Sequence, residues 1–218
     1  LGNYYHPKRV YISERIISDI PNREFFSGFA EIIKCGLIGN KKIIDYAVRK
    51  DANDLIQFTL NDFVEELGSN IPAPGGGSVS ALCGSLGAGL ASMVVVLTHE
   101  KKEFIDDKPK MNILGEEAQK LKDRLLWLVD EDTKAFNSIM ASNRLPQSNP
   151  QEKRVKTKAV LKSNMYAIQI PWEVAELSFQ MMKLAFQLVK EGNPNSVSDA
   201  GVAGGVGMAA IRGACLNV

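Results

Sequence analysis

Residues Ser69–Met93 read SNIPAPGGGSVSALCGSLGAGLASM, and the fold turns on how the second half of this stretch is taken. Pro72 and Pro74 stiffen the approach. Gly75, Gly76 and Gly77 follow, and Val79–Thr98 then runs without a single charge. That run is long enough to cross a bilayer. It also carries Ser80, Gly84, Ser85, Gly87, Gly89 and Ser92, so it is only mildly apolar. Small residues let neighbouring helices approach closely. The expectation is the central helix of a bundle, with no membrane partner. The three glycines are expected to take φ > 0 and bring main-chain N–H groups close to a ligand. Ser78 would open a helix whose N-terminus favours an anion or a polar oxygen. A tight turn into a closely packed helix accounts for the same residues. The spacing fits neither the GxGxxG fingerprint nor a P-loop, so it implies no dinucleotide or nucleoside triphosphate.

Working outward, the residues before this stretch, TLNDFVEELGSN, carry the marks of a short capped helix. Thr59 or Asn61 is the N-cap, Leu60, Phe63, Val64 and Leu67 form the buried side, and Gly68 is the stop. After it, a helix is predicted over about 112–143, and LPQSNP (145–150) is a loop. A basic helix is predicted over 152–170 and ends at Pro171. Another, over 172–190, repeats Val174, Leu177, Met181, Leu184 and Leu188 at helical spacing. The last helix, from Val202, is weakened by Gly204, Gly205 and Gly207. No convincing strand follows residue 41, and the fold class is all-α, a bundle of five or more helices. Residues 1–40 differ. A short strand is expected at Val10–Ile12 and then a helix with Phe25, Phe29, Ile32, Ile33 and Leu37 on one face. The predicted organisation is a small N-terminal appendage (1–40), a linker (41–58) and a helical domain (59–218).

Within LKDRLLWLVDEDTKAFNSIM (121–140), Leu121, Leu125, Leu128, Phe136 and Ile139 mark a buried face. At about 100° per residue, Asp132 falls within about 40° of Leu121, Leu125, Leu128 and Phe136. Asp130 and Glu131 lie about 160° and about 100° away and are expected to face water. A carboxylate on a core-facing stripe is costly unless it is paired, hydrogen-bonded or protonated. Desolvation would raise its pKa, which suits a general acid or base near neutrality. A structural aspartate that caps a neighbouring helix or pairs with a cation explains the same position. A second polar cluster, NPNSVSDAG, brings Asn195, Ser198 and Asp199 to a helix start. Read locally, Ser198 or Asp199 caps that helix.

Composition narrows the function classes. The 218 residues carry 26 basic and 25 acidic side chains, so no field or basic block argues for nucleic acid. Cys35, Cys83 and Cys215 are scattered and odd in number, which favours a reducing, cytoplasmic setting over a disulfide framework. With His6 and His99 as the only histidines, no zinc cluster is expected. No secretory signal is visible, and the start at Leu1 suggests a fragment or processed product.

Four segments, PAPGGGSVSALCGSLGAGLASMV, LVDEDTKAFNSIM, RLPQSNPQEK and GNPNSVSDAGVA…RGACLNV, occur in the order and spacing of a known family. Over about residues 41–218 the chain resembles the cyclodeaminase domain of formimidoyltransferase-cyclodeaminase. The resemblance implies an all-helical homodimer or higher oligomer that converts 5-formimidoyltetrahydrofolate to 5,10-methenyltetrahydrofolate and ammonia. It also implies no tightly bound cofactor and no metal, with tetrahydrofolate, polyglutamylated or not, as the substrate carrier. The family's catalytic aspartate falls on Asp132. Gly75, Gly76, Gly77, Ser78, Asn195, Ser198 and Asp199 then become candidate folate contacts. Lys101, Lys102, Lys153, Arg154, Lys156 and Lys158 could draw a polyglutamate tail, or simply form a solvated face. Family members continue past LNV, so a C-terminal truncation is expected. Rival readings are a methenyltetrahydrofolate cyclohydrolase and a silent helical module that binds folate or oligomerises. HPKRVYISERIISDIPNREFFSGFAEIIKCGLI resembles an internal piece of 3-dehydroquinate synthase. There the matching glutamate, Glu31, is a zinc ligand and the matching lysine, Lys34, is in the active site. The later histidine ligands are missing and His6 does not replace them, so neither zinc nor synthase activity is expected.

Overall fold

In the computed structural model, residues 55–101 and 108–218 are described. A 3-10 turn at Leu55–Gln57 leads into α1 (Leu60–Leu67). The long helices α2 (Gly76–His99), α3 (Lys108–Asn143) and α4 (Pro150–Glu191) follow. A 3-10 turn at Pro194–Ser196 then leads into α5 (Val197–Cys215). Among the described residues there is no strand, and the all-α expectation holds. The expected strand at Val10–Ile12, the helix bearing Glu31 and Lys34, and His6 lie outside the described residues.

Helix α2 is the axis, with α3, α4 and α5 all packed on it. Its uncharged sequence passes for a membrane span by length and composition. Its small residues explain why it sits in a bundle instead: Ala81, Gly84, Ala88, Ala91 and Val94 are buried against neighbours. At Gly84 a Cβ would stand 2.7 Å from the Ser178 hydroxyl and 3.1 Å from Leu125, so only glycine lets α2 approach α3 and α4 this closely. Around it, one apolar cluster joins Val94, Met111, Leu114, Met181 and Leu188. A second joins Leu125, Leu128, Val129, Ile170 and Val174.

Several local expectations need correction. Pro171 does not end a helix. It lies inside the 42-residue α4 and is fully buried. One missing main-chain donor is tolerable where burial on both sides holds the helix together. The start of α4 lies at Pro150, two residues before the expected position, because Asn149 accepts from the Glu152 N–H at 2.8 Å and Pro150 suits the first helical position. Thr59 caps α1 as expected, accepting from the Asp62 N–H at 3.1 Å. In α1, however, Leu60 and Val64 are 80% and 62% exposed, and Phe63 alone is buried. Helix α5 begins at Val197, not Val202, and runs through Gly204, Gly205 and Gly207.

Candidate active site

The carboxylate of Asp132 lies against the first turn of α2. The hydroxyl of Ser78 donates to Asp132 Oδ2 at 2.9 Å. Ser78 and Thr133 share a further hydroxyl contact of 3.3 Å. The N–H of Ser78, one of the first-turn donors with no helical carbonyl to meet, also binds this carboxylate. Asp132 therefore caps α2 from another helix, as the structural reading allowed, and it also opens onto a cleft. Ser78 is fully buried, so its hydroxyl serves Asp132 and Thr133 and does not face the cleft. A Cβ at Gly77 would collide with the Asp132 carboxylate. No glycine among the described residues has φ > 0. The expected use of backbone freedom is thus corrected: the glycines are needed for close approach.

The cleft has a volume of about 320 Å³, and its lining includes Gly75, Gly76, Gly77, Asp132, Phe136 and Asn217. Burial raises the Asp132 pKa, and the hydrogen bonds from the Ser78 hydroxyl and N–H pull it back only in part. A larger hollow of about 650 Å³ lies between the C-terminal half of α2 and the N-terminal half of α3, beside Ser92, His99 and Gln119. It has no glycine-rich helix start and no buried carboxylate, so the chemistry favours the smaller cleft. Among the described residues no three His, Cys, Asp or Glu side chains converge as metal ligands.

The two acids before Asp132 do not face water. Asp130 is 3% exposed, and its Oδ1 accepts from the Leu55 N–H at 2.6 Å. Glu131 is buried too, bonded to the Tyr166 hydroxyl and, at 2.9 Å, to Lys134. Burial alone would raise the Glu131 pKa, but the bonds from Tyr166 and Lys134 and the charges of Lys134 and Arg124 hold it below the usual range. Burial, reinforced by that carboxylate, pushes Tyr166 up to about 12. The expectation treated α3 as having one buried face. In the fold it touches α2, α4 and the Leu55 turn, so three consecutive acids are each covered by a different neighbour.

The second polar cluster lies elsewhere. The Asn193 N–H donates to Thr98 Oγ1 at 2.8 Å and its side chain donates to the Leu97 carbonyl at 3.3 Å, which fixes this loop at the C-terminal end of α2. Gly77 is 21 residues earlier on the same helix, about 30 Å away at 1.5 Å per residue. Within one chain, Asn195, Ser198 and Asp199 therefore stand at the opposite end of the bundle from Asp132. Neither Ser198 nor Asp199 caps α5: Ser196 holds the cap position and makes no side-chain bond there. Asn193 does the local work, accepting from the Asn195 N–H at 3.0 Å. The Asn-Pro pair was the signal for it. Asn217 was missed because only the turn after α5 brings it back to Gly76, where its Nδ2 lies 3.3 Å from the place of a Cβ. Lys153, Arg154 and Lys158 are exposed on α4.

A family model, Formiminotransferase-cyclodeaminase, matches residues 59–218. The chain belongs to this family. A methenyltetrahydrofolate cyclohydrolase from Methylorubrum extorquens is 32% identical over 160 residues, which are 73% of this chain and 77% of that protein. The formimidoyltransferase-cyclodeaminase of Rattus norvegicus is 33% identical over 180 residues, 82% of this chain but 33% of its own length. The chain thus spans about a third of such bifunctional members. A crystal structure of formiminotetrahydrofolate cyclodeaminase from Thermotoga maritima superposes with a TM-score of 0.66 at 25% identity, covering 75% of this chain and 78% of that one. Together these put the chain among folate enzymes of the cyclodeaminase and cyclohydrolase type. A partial likeness to the 3-dehydroquinate synthase of Prochlorococcus marinus, 33% over 72 residues, covers a third of this chain and 20% of that protein, in keeping with a fragment.

Proposed function

We propose that the chain closes the one-carbon ring of a reduced folate, turning 5-formimidoyltetrahydrofolate into 5,10-methenyltetrahydrofolate and ammonia, with Asp132 as the proton carrier. The observation that carries this reading is the partly buried Asp132 carboxylate, with its raised pKa, opening onto a cleft beside Gly75–Gly77. The substrate enters as an amidinium cation, and an ionised Asp132 beside it stabilises that charge. Folate N10 attacks the formimidoyl carbon, and the C=N electron pair moves onto the exocyclic nitrogen. A tetrahedral carbon forms, bearing N5, N10 and an amino group. Asp132 takes the proton from N10 and delivers it to the amino group. The C–N bond breaks, ammonia leaves, and an electron pair from the ring nitrogens completes the methenyl cation. Charge and protons balance, and such a relay contributes roughly 10²–10⁴ in rate.

The cleft is near the lower end of the roughly 300–1,000 Å³ range of small-molecule sites. It suits the pterin edge and its one-carbon unit, with the rest of the folate over the open mouth. We place Gly76, Gly77, Phe136 and Asn217 against the pterin. No tightly bound cofactor is needed, since folate itself carries the carbon unit, and the setting is the cytoplasm.

One observation favours a second reading. Similarity to a methenyltetrahydrofolate cyclohydrolase, 32% over 160 residues, is as strong as that to the cyclodeaminases. In that reaction water adds to the methenyl carbon, and Asp132 takes one of its protons and delivers it to N5; the C–N5 bond then breaks, and the remaining hydroxyl proton goes to solvent as the formyl carbonyl forms. Assaying both substrates side by side, with wild type and Asp132→Asn, separates the two. Gain of methenyl absorbance from the formimidoyl substrate supports ring closure, and its hydrolytic loss supports the cyclohydrolase. An Asp132→Asn protein that keeps full activity on either substrate removes the role given to Asp132.

A further inference from the structure

The turn that follows α5 is built onto the cleft. Where α5 crosses the first turns of α2, a Cβ at Gly213 would collide with the Ser80 hydroxyl. Ser80 turns that hydroxyl back along its own helix, donating to the Gly76 carbonyl at 2.6 Å. The close crossing sets the last turn of the chain beside the glycines. There the Asn217 N–H donates to the Ala214 carbonyl at 2.9 Å, and its side-chain Nδ2 donates to the Gly213 carbonyl at 2.8 Å. The second bond decides which way the amide faces. A carbonyl only accepts, so the nitrogen must lie on Gly213; a flipped amide would set two oxygens against each other. Among the described residues Oδ1 has no hydrogen-bond partner, and Asn217 lines the cleft. Asn217 is packed on Gly76 as Asp132 is packed on Gly77, and adjacent Cα atoms are about 3.8 Å apart. The amide and the carboxylate therefore stand at neighbouring points of the same cleft.

We propose that Asn217 is a specificity-determining residue, whose fixed amide oxygen accepts a hydrogen bond from the exocyclic nitrogen of the formimidoyl group and so selects it over a formyl group on the same folate nitrogen. This rests on the ring-closure reading of the Asp132 cleft. The amidinium carries two N–H donors on its exocyclic nitrogen, one for Asp132 and one for Asn217. The 5-formyl analogue has a carbonyl oxygen there, with no hydrogen to give, and it meets Asn217 lone pair to lone pair. An amide free to turn would offer Nδ2 to that oxygen and tell the two folates apart poorly. The bond to Gly213 holds it in the discriminating orientation. The Asp132 charge favours the amidinium in the same sense, and Asn217 adds to it.

Asn217→Ala tests this with two folates. For wild type and variant, kcat/KM on 5-formimidoyltetrahydrofolate is compared with the dissociation constant of 5-formyltetrahydrofolate, with far-UV circular dichroism as the check on folding. Loss of a hydrogen bond to a charged donor should lower kcat/KM roughly ten- to hundredfold, while the formyl analogue should bind within about twofold of wild type or more tightly. Equal weakening of both would mean that Asn217 merely shapes the cleft, and an unchanged kcat/KM would mean that it makes no such bond; either result overturns the proposal. If neither protein turns the formimidoyl folate over, the ring-closure reading falls. The ratio of the two dissociation constants, formimidoyl to formyl, then decides the role of Asn217 by the same criterion.

Discussion

Replacing Gly77 by alanine should uncouple activity from stability. Gly77 is the second residue of α2, where alanine in place of glycine ordinarily gains about 0.8–1 kcal/mol. Here the new methyl group would land on the Asp132 carboxylate. The obstacle is the tip of a side chain, so the chain can relieve it by turning Asp132 away and giving up the Ser78 bond. Overpacking of this kind costs about 1–3 kcal/mol, so the net loss of stability should be only about 0–2 kcal/mol. Catalysis should fare far worse. A reacting group displaced by about 1 Å loses on the order of 10²-fold in rate. The assay is methenyl-folate production at saturating substrate, with a thermal melt of the same preparation. Gly205→Ala is the control: a Cβ there meets nothing within 4 Å. It should add roughly 0.5–1 kcal/mol and leave turnover alone. If Gly77→Ala turns over at the wild-type rate, the tight approach of α2 to Asp132 has no part in the chemistry, and the reasoning fails.

Other outcomes follow from the same contacts. Asp132 must be ionised to accept the N10 proton, so the rate should fall as pH drops through its pKa, with the acid limb above the ordinary carboxylate range. Ser78→Ala removes a bond that lowers this pKa, so it should move the limb to higher pH; a limb that moves down or stays put contradicts the assignment. Burial raises the folded-state pKa of Asp132, so its ionisation costs stability as pH rises from the unfolded value through the folded one. Asp132→Asn should therefore melt higher than wild type at neutral pH while losing activity, and a lower melting point would count against the desolvated carboxylate. Tyr166→Phe takes a partner from Glu131 and should cost about 1–3 kcal/mol in denaturant titration with kcat nearly unchanged. Ser198→Ala and Asp199→Asn, at the far end of α2, should leave kcat/KM within about twofold, since charges at that distance are screened; a tenfold loss would mean that this cluster reaches the cleft.

The all-helical class and the position of Asp132 were legible because both rest on local periodicity. Leu121, Leu125 and Leu128 fix the phase of α3, and the phase carries Asp132 inward. What one helix cannot show is how many neighbours it has. Asp130 and Glu131 looked solvent-facing because the Leu55 turn and Tyr166 reach α3 from 75 and 35 residues away. Pro171 read as a stop because its local cost is real, while the packing that outweighs it is tertiary. The Asn195–Asp199 cluster was paired with the glycine loop by its chemistry, although the connection through Asn193 and Thr98 sends it to the other end of the bundle. Asn217 gave no local signal at all.

The tie between Asp130 and the Leu55 main chain sets where this domain can be cut. The match to the family model starts at residue 59, yet Leu55 is 3% exposed and its N–H is moored two residues before Asp132. Trimming to the edge of that match would strip a ligand from a sealed carboxylate on the very helical turn that carries the proton relay. A recombinant fragment should keep Leu55, and any upstream module grafted there would pull on that mooring whenever it moved.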